Sequence, residues 1–328
     1  SRFRHRSTRQ GLPLLAAGLI LLLQGAVQAS ERPNILYIML DDAGYEDYTR
    51  FDDDPDSEFG PVRYPRPHLR RFMSESRRFE QHYTAPMCTP TRVSSLSGQY
   101  PLFYGIQWVC GSSATFGIPD SHVTTPEALA ALGYRTATFG KWHAGKHLPE
   151  YLAPAKFQHA VVSTGVSNTG YMDAGYVFGT ATEPVIFKGE HVTDKTAALV
   201  IEHLRWLAGG PDGGAESPFF INYWLHAPHK PFDPAQRWLQ YYCPQGQPKC
   251  PKSQRYRALM SQADENIGAV LAALDELGLA GDTLVLLSSD NGLPRELDLP
   301  SPLRGRKTDV FEGGIKLPLV ARWPQRLS

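Results

Sequence analysis

The sequence predicts an α/β fold, with a doubly wound and mostly parallel sheet that is covered by helices on both faces. The first ground is a repeated pattern, in which a run of β-branched and aromatic residues ends abruptly in a polar cluster and an amphipathic stretch follows later. The second is the alternation of strands with helices, which is typical of parallel sheets. Ligands of such sheets bind at the carboxyl ends of the strands, so we expect the polar clusters to share one site.

Four predicted strands carry this pattern. Each is named here with the polar cluster that follows it: Asn34 to Leu40 with Asp41-Asp42, Thr136 to Phe139 with Gly140 to His143, Phe219 to Leu225 with His226 to His229, and Leu284 to Leu287 with Ser288 to Asn291. Their aromatic and β-branched side chains are expected in the core, because strands of a covered parallel sheet are buried on both faces.

Helices are predicted between these strands. Thr124 with Glu127 three residues later matches a capping box, Pro126 suits a first helical turn, and Gly133 ends the segment. Two longer amphipathic stretches are also predicted as helices, from Lys195 to Leu207 and from Arg255 to Leu277. Two other stretches show no clear period and are expected at the rim of the pocket, Asp52 to Pro67 and Tyr151 to Val192.

The composition excludes two broad classes of protein. With 328 residues, of which 42% are hydrophobic and 20% charged, the chain can bury a large core and does not resemble a disordered protein. The 33 basic residues balance the 33 acidic ones, so no net field attracts a nucleic acid. We therefore expect one large domain without a nucleic-acid partner.

The first 29 residues differ from the rest of the chain. Four arginines precede an apolar run from Gly11 to Val27, and Val27-Gln28-Ala29 offers a small-residue cleavage site. We predict a signal peptide over residues 1–29 and export to the periplasm or the extracellular space. An uncleaved membrane anchor is the alternative, although the run is slightly short for a span. After cleavage no stable membrane span is expected, and the domain covers residues 30–328.

Export permits disulfides, and the chain has four cysteines. Cys243 and Cys250 flank a short loop of Pro, Gln and Gly residues and could close it with a bridge. If Cys88 is reserved for chemistry, Cys110 has no partner. A buried free thiol is the simplest state for Cys110.

Carboxylates follow two of the predicted strands. Adjacent carboxylates such as Asp41 and Asp42 repel each other at the end of a buried strand, so they need a cation or exposure to water. Asp290 and Asn291 follow another strand. Taken alone, Asp41-Asp42 could be the solvated start of a loop, and Asp290-Asn291 could be part of a turn. Placed together, they form an all-oxygen group that suits Ca²⁺ or Mg²⁺ better than Zn²⁺.

The segment Cys88-Thr89-Pro90-Thr91-Arg92 carries the sharpest signal. Pro90 can open a helix that runs to about Gly98, which places Cys88 at a helix amino terminus. The backbone N–H groups and the dipole favour an anion there. The segment matches Cys-x-Pro-x-Arg, the motif in which sulfatases have their cysteine oxidised to formylglycine.

The chain resembles the sulfatase family from about Asn34 to Trp323. A five-residue motif with two variable positions arises by chance, whereas six motifs in the family's order are a specific signal. In this sequence the six motifs are Asp41-Asp42, Cys88 to Arg92, Gly140 to His143, His229 in an Ala-Pro-His context, Asp290 to Gly292, and Leu303 to Lys307 followed by Glu312 to Gly314. The resemblance implies the alkaline-phosphatase-like version of the predicted fold.

The resemblance also implies a cofactor, a modification and residue roles. Ca²⁺, with Mg²⁺ as the weaker alternative, would be bound by Asp41, Asp42, Asp290, Asn291 and the formylglycine derived from Cys88. Arg92 would hold the hydrated formylglycine, and His143 would assist its hydroxyl. The sulfate would contact Lys141, Lys307 and His229. His229 would also protonate the departing alcohol, whereas His226 has no family role and is predicted to be structural.

By this resemblance the function is hydrolysis of a sulfate monoester to an alcohol and sulfate. The substrate would be a sulfated small molecule or glycan, and a formylglycine-generating enzyme would be the maturation partner. Family members usually continue into a small C-terminal antiparallel domain, which this sequence lacks, so a C-terminal truncation is expected. Two alternatives stay open: a phosphate or phosphonate ester hydrolase of the same superfamily, and a non-catalytic binding protein in which Cys88 is not converted.

Overall fold

A computed structural model describes residues 32–48, 64–109, 117–145, 157–164, 170–179, 183–209, 217–245 and 247–327, together with residues 166 and 181. The predicted signal peptide and Cys110 lie outside the described residues, as does most of the loop from Asp52 to Pro67.

Within the described part, the strands are β1 Asn34–Leu40, β2 Arg77–Phe79, β3 Arg135–Gly140, β4 His159–Thr164, β5 Gly175–Phe178, β6 Val185–Ile186, β7 Phe219–Trp224, β8 Thr283–Ser289 and β9 Leu319–Arg322.

The α-helices of the described residues are α1 Pro67–Ser74, α2 Cys88–Ser97, α3 Thr125–Ala131, α4 Val192–Gly209, α5 Gln236–Tyr242, α6 Lys252–Glu276 and α7 Glu312–Ile315. Short 3₁₀ helices cover Tyr45–Tyr48, Pro101–Tyr104, Gln247–Lys249 and Ala280–Asp282. The predicted capping box is present at α3, where the N–H of Thr124 donates to Glu127 at 2.7 Å.

The nine strands form one sheet in the order β2-β9-β8-β1-β7-β3-β4-β5-β6 among the described residues. Its centre is parallel, because β8, β1, β7, β3 and β4 pair in the same direction. Both margins are antiparallel, through β9 and β2 on one side and β5 and β6 on the other. The predicted mostly parallel α/β sheet is confirmed at the centre, where the four predicted strands lie.

Helices cover both faces of this sheet, as predicted. Along β1 the side chain of Ile38 joins a hydrophobic cluster that includes Phe72 of α1, Leu204 of α4 and Ile267 of α6. The next side chain, Met39, joins a separate cluster on the other face. Residues Val93 and Leu96 of α2 also belong to that second cluster. Alternate side chains of β1 therefore contact different helix layers.

The expectation for Tyr151 to Val192 was wrong in part. We predicted an irregular rim, but strands β4, β5 and β6 extend the sheet within this segment. β4 pairs with β3 in parallel and then with β5 in an antiparallel ladder. The short strands are separated by Gly, Ser and Thr residues, so no period extends over enough residues to be recognised.

Candidate active site

The carboxyl ends of the central strands gather the predicted polar residues. β1 and β8 lie in parallel register with Leu40 opposite Ser289, so Asp41 and Asp290 leave the sheet side by side. The N–H of Asp290 donates to the carbonyl of Leu40 at 3.1 Å. The two acidic motifs are therefore neighbours in space although they are far apart in the sequence.

The side chains of these motifs interlock. The N–H of Asp42 donates to Oδ1 of Asp290 at 3.1 Å, and Nδ2 of Asn291 donates to Oδ1 of Asp42 at 2.7 Å. Asp42 adopts the left-handed backbone conformation, with a φ of 73°. Asp41, Asp42, Asp290 and Asn291 are all buried. The result is a compact group of three carboxylates and one amide beneath the protein surface.

Three cationic side chains face these three carboxylates. Nε and Nη2 of Arg92 donate to Oδ2 of Asp290 at 3.1 and 2.8 Å. Nζ of Lys307 lies 2.5 Å from Oδ1 of Asp42. The ammonium of Lys141 forms an ion pair with Asp41. Each carboxylate thus has its own cation, and the formal charges of the six groups cancel.

Glycine allows two close approaches that shape the site. Gly140 ends β3 with a φ of +99°, and a Cβ there would lie 2.1 Å from the carbonyl oxygen of Trp224. This approach lets the N–H of Lys141 donate to that carbonyl at 2.8 Å. A Cβ on Gly292 would lie 1.8 Å from the carbonyl oxygen of Gly313. The residue after Asn291 can therefore lie backbone against backbone with Gly313 and Gly314, and the N–H of Gly292 donates to the carbonyl of Gly314 at 3.0 Å.

Cys88 begins helix α2, which starts two residues before the predicted Pro90. Sγ of Cys88 lies 3.5 Å from Oδ1 of Asp41 and 3.3 Å from Nζ of Lys307. Burial and the negative charge of Asp290 raise the pKa of the Cys88 thiol well above its ordinary value. An unmodified Cys88 is consequently a neutral thiol at the centre of the charged cluster.

The two predicted histidines differ in position. Nε2 of His229 lies 3.7 Å from Oδ2 of Asp42, and Nδ1 of His229 lies 2.5 Å from the carbonyl oxygen of Lys230. A carbonyl only accepts, so Nδ1 of His229 carries the proton. Nδ1 of His143 is buried and has no hydrogen-bond partner among the described residues. Burial and the positive charge of Lys141 lower the pKa of His143 to about 2, which keeps the ring neutral.

The carboxylates respond to these neighbours in opposite directions. Burial opposes the ionisation of Asp41, but the positive charges of Lys141 and Arg92 hold its pKa well below its ordinary value. Burial and the charge of Asp41 raise the pKa of Asp290 to about 6. The ionised form of Asp290 is therefore destabilised, and an added cation would stabilise it.

The donor set fits a hard divalent cation. Oδ1 of Asn291 is buried and lacks a hydrogen-bond partner in the described part of the chain, an arrangement that a bound ion would relieve. Potential ligand atoms of Asp41, Asp42, Cys88 and His229 all lie within 4.8 Å of one another. Carboxylate and amide oxygens of this kind are typical of Ca²⁺ and Mg²⁺ sites.

The structure brings all ten predicted site residues to this one region. Nine are joined by the direct contacts above, and His143 lies within the electrostatic influence of Lys141, Arg92 and Asp41. His226 is buried beside them, where its Nε2 lies 2.8 Å from Oγ of Ser163, in keeping with the predicted structural role. Thr91 was not predicted from the sequence, and its hydroxyl donates to the carbonyl of Asp290 at 2.6 Å. Helical spacing from Cys88 could have indicated Thr91, because residues three apart share a helix face.

A family model described as Sulfatase matches residues 33–328. The chain belongs to the sulfatase family. Bovine (Bos taurus) arylsulfatase A is 29% identical over 340 residues, which cover 94% of this chain and 62% of that protein. Rat (Rattus norvegicus) N-acetylgalactosamine-6-sulfatase is 29% identical over 346 residues, with 97% and 61% covered. This sulfatase chain thus spans about three fifths of the length of these curated relatives.

Solved structures agree with the sulfatase fold. Ps i-CgsB in complex with k-i-k-neocarrahexaose has a TM-score of 0.75 at 21% identity, covering 90% of this chain and 67% of that one. BT4656 in complex with its substrate D-glucosamine-2-N,6-O-disulfate has a TM-score of 0.65 at 20% identity, covering 90% and 72%. The sheet described above therefore has the alkaline-phosphatase-like architecture of sulfatases.

Proposed function

We propose that this protein hydrolyses a sulfate monoester to an alcohol and sulfate, with a formylglycine made from Cys88 and a Ca²⁺ ion in the site. One observation carries the proposal. Cys88 lies at the amino terminus of α2, between Asp41 at 3.5 Å and Lys307 at 3.3 Å, inside a cluster of three carboxylates and three cations. This cluster can hold both a divalent cation and a tetrahedral anion.

Asp41, Asp42, Asp290 and Asn291 would hold the cation together with the modified Cys88. Ca²⁺ is favoured because it accepts an irregular set of protein oxygens, whereas Mg²⁺ demands octahedral geometry and retains several waters. When bound, the cation supplies positive charge that polarises the sulfate oxygens. Arg92 keeps Asp290 in place through its paired hydrogen bonds, so the shape of the oxygen set does not depend on the ion alone.

The state of Cys88 supports conversion to formylglycine. A thiol whose pKa is raised by burial stays protonated and is a poor nucleophile. A hydrated aldehyde at the same position supplies a hydroxyl as the nucleophile and can regenerate the carbonyl afterwards. A formylglycine-generating enzyme is accordingly a required partner in maturation.

The remaining residues act on the sulfate and on protons. Lys141 and Lys307 place two ammonium groups near the centre of the cluster, where they would stabilise charge on sulfate oxygens. Nδ1 of His229 is committed to the carbonyl of Lys230, so Nε2 is the atom that faces the leaving oxygen, and it would deliver a proton from the doubly protonated, imidazolium form of the ring. His143 is neutral, and its Nδ1, which lacks a partner among the described residues, would assist the formylglycine hydroxyl through a hydrogen bond.

Sulfated small molecules or glycans are the proposed substrates. The relatives named above include an N-acetylgalactosamine-6-sulfatase, and one related structure holds a disulfated glucosamine as its substrate. Export to the periplasm or the extracellular space is proposed as well. The disulfide between Cys243 and Cys250 supports it, because such bonds persist in oxidising compartments. No helix in the described residues is long and apolar enough to cross a bilayer.

A comparison of esters tests this function. Protein purified from its native host would be assayed on para-nitrophenyl sulfate and para-nitrophenyl phosphate, with Cys88→Ala as the matched control. We expect kcat/KM to favour the sulfate ester and Cys88→Ala to remove the activity. A preference for the phosphate ester would support the alternative hydrolase. Absence of turnover on both esters, with ligand binding retained, would support a non-catalytic binding protein.

A further inference from the structure

The hydroxyl of Tyr171 contacts two carbonyl groups of the loop that carries His229. Its oxygen lies 2.8 Å from the carbonyl oxygen of His226 and 2.7 Å from the carbonyl oxygen of His229. The side chain of Tyr171 is fully buried. This tyrosine precedes β5 and is more than fifty residues away from the loop in the sequence, so the contact is a tertiary constraint on the loop.

Tyr171 is itself held firmly. Its ring stacks on His191 with a centroid distance of 5.1 Å and an interplanar angle of 26°. Its carbonyl accepts from the N–H of Val192 at 2.8 Å. Nε2 of His191 lies 2.9 Å from the carbonyl oxygen of Asp233, and Nδ1 of His191 lies 3.0 Å from Nε2 of Gln262. Tyr171 is therefore held by the start of α4 and, through His191, by α6, and both helices pack in the core.

The hydroxyl of Tyr171 stays protonated and can therefore donate a hydrogen bond. Burial, together with the negative charges of Asp41 and Asp42, raises the pKa of Tyr171 well above its ordinary value. The phenol therefore keeps its proton and shares it between two acceptors. Neither carbonyl can donate, so the direction of both contacts is fixed.

The loop in turn fixes the imidazole of His229. The N–H of His229 donates to the carbonyl of His226 at 2.9 Å and closes a turn. Nδ1 of His229 then donates to the carbonyl of Lys230 at 2.5 Å, which directs Nε2 toward Asp42. A shift in the backbone of this turn would move the ring, because its orientation depends on a backbone acceptor of the same loop.

We propose that Tyr171 is a positioning residue for His229, and that its hydroxyl fixes the turn so that Nε2 faces the leaving oxygen of the ester. This inference rests on the proposed sulfatase function. Tyr171 is buried and acts through the His229 backbone. Its loss should therefore affect the step that needs a proton from His229 and leave the attack on sulfur comparatively intact.

Leaving-group dependence tests this role. Wild-type protein and Tyr171→Phe, both purified from the native host, would be assayed on para-nitrophenyl sulfate and phenyl sulfate. The nitrophenolate departs with little need of a proton, whereas phenolate depends on one. We expect Tyr171→Phe to lose about ten-fold more kcat/KM on phenyl sulfate than on the nitrophenyl ester, as part of the effect of general acid catalysis.

Tyr176→Phe is the matched control. Tyr176 is an equally buried tyrosine, and its hydroxyl donates to the carbonyl of Val192 at 3.0 Å rather than to the His229 loop. We expect this variant to keep the wild-type ratio between the two esters. A purely structural role of Tyr171 would lower both rates in proportion, and an unchanged ratio in Tyr171→Phe would overturn the positioning role.

Two further outcomes remain distinguishable. If wild-type protein hydrolyses no sulfate ester, the proposed function fails, and the role of Tyr171 fails with it. If Tyr171→Phe does not fold, His191→Gln loosens the same tyrosine from the other side of its ring. We expect that variant to shift the ratio in the same direction by a smaller factor, and a wild-type ratio there would also contradict the proposal.

Discussion

The ammonium of Lys307 lies 3.3 Å from the sulfur of Cys88 and 2.5 Å from a carboxylate oxygen of Asp42. It therefore connects the proposed nucleophile to the proposed cation site. Despite burial, the negative charge of Asp42 raises the pKa of Lys307, so the ammonium stays charged. We expect Lys307→Gln to lower kcat by about 100-fold, because it removes charge from the position where sulfate oxygens would bind.

Lys316→Gln provides the control for that variant. Lys316 has a similarly shielded side chain, but it pairs with Glu312 at 3.4 Å rather than with the cluster. Steady-state rates on para-nitrophenyl sulfate would be compared. A Lys307→Gln enzyme as fast as Lys316→Gln would show that the ammonium does not act on the substrate.

Arg92 should matter to stability as much as to activity. Its guanidinium is fully buried, donates twice to Asp290 and lies 5.2 Å from the ring of Trp224. Arg92→Ala leaves the buried Asp290 carboxylate without its paired donor, which costs about 3–5 kcal/mol of unfolding free energy. Urea denaturation of the variant would measure this loss.

Arg237→Ala tests whether that loss depends on burial. Arg237 also binds two carboxylates, those of Asp194 and Glu265, but its side chain is 46% exposed. We expect it to cost about 1 kcal/mol or less, as exposed ion pairs do. Equal losses in the two variants would contradict the description of Arg92 as a buried anchor.

Cation and sulfate should bind cooperatively. The carboxylates of Asp41, Asp42 and Asp290 are already neutralised by Lys141, Lys307 and Arg92. An added divalent ion gives the site an excess of positive charge, which favours a sulfate anion by about 1–3 kcal/mol of coupling. Thermal unfolding with Ca²⁺ or with a chelator would report it as a larger shift in Tm by sulfate when Ca²⁺ is present. Chloride at matched ionic strength is the control, and equal sulfate shifts in both conditions would refute the coupling.

The disulfide between Cys243 and Cys250 should stabilise the protein without affecting catalysis. It closes a loop with a sequence separation of 7 residues between α5 and α6, and its loss costs about 2–3 kcal/mol by the loop-closure estimate. None of the site contacts described above involves this loop. The double variant Cys243→Ser/Cys250→Ser should therefore unfold at lower urea concentration and retain kcat/KM. A large loss of kcat/KM in the folded variant would reveal an unexpected link to the site.

Much of the fold followed from local patterns. β1, β3, β7 and β8 are runs of apolar residues that stop at polar clusters, and this contrast needs no tertiary information. Helices α4 and α6 each begin three residues before the predicted start, because their first turns are largely polar. β4 to β6 were not recognised, since short strands gain their stability from neighbours such as β3 rather than from their own sequence.

Site residues that belong to recognised motifs could be predicted from the sequence. Residues that reach the site only through tertiary packing could not. Asp41, Cys88 and Lys307 belong to ordered motifs, so their convergence was expected. Thr91 occupies a variable position of its motif, and Tyr171 lies in a segment without a period. Their contacts are to backbone carbonyls, which every residue possesses, so no pairing of side-chain types indicates them, and only the helical spacing from Cys88 points to Thr91.

Mass spectrometry of the peptide that contains Cys88, from protein purified from its native host, would show whether Cys88 is converted to formylglycine. We expect a peptide in which an aldehyde, or its hydrate, has replaced the thiol of Cys88, in a preparation that hydrolyses para-nitrophenyl sulfate. An intact thiol at Cys88 in a preparation with full sulfatase activity would show that the reaction does not need formylglycine.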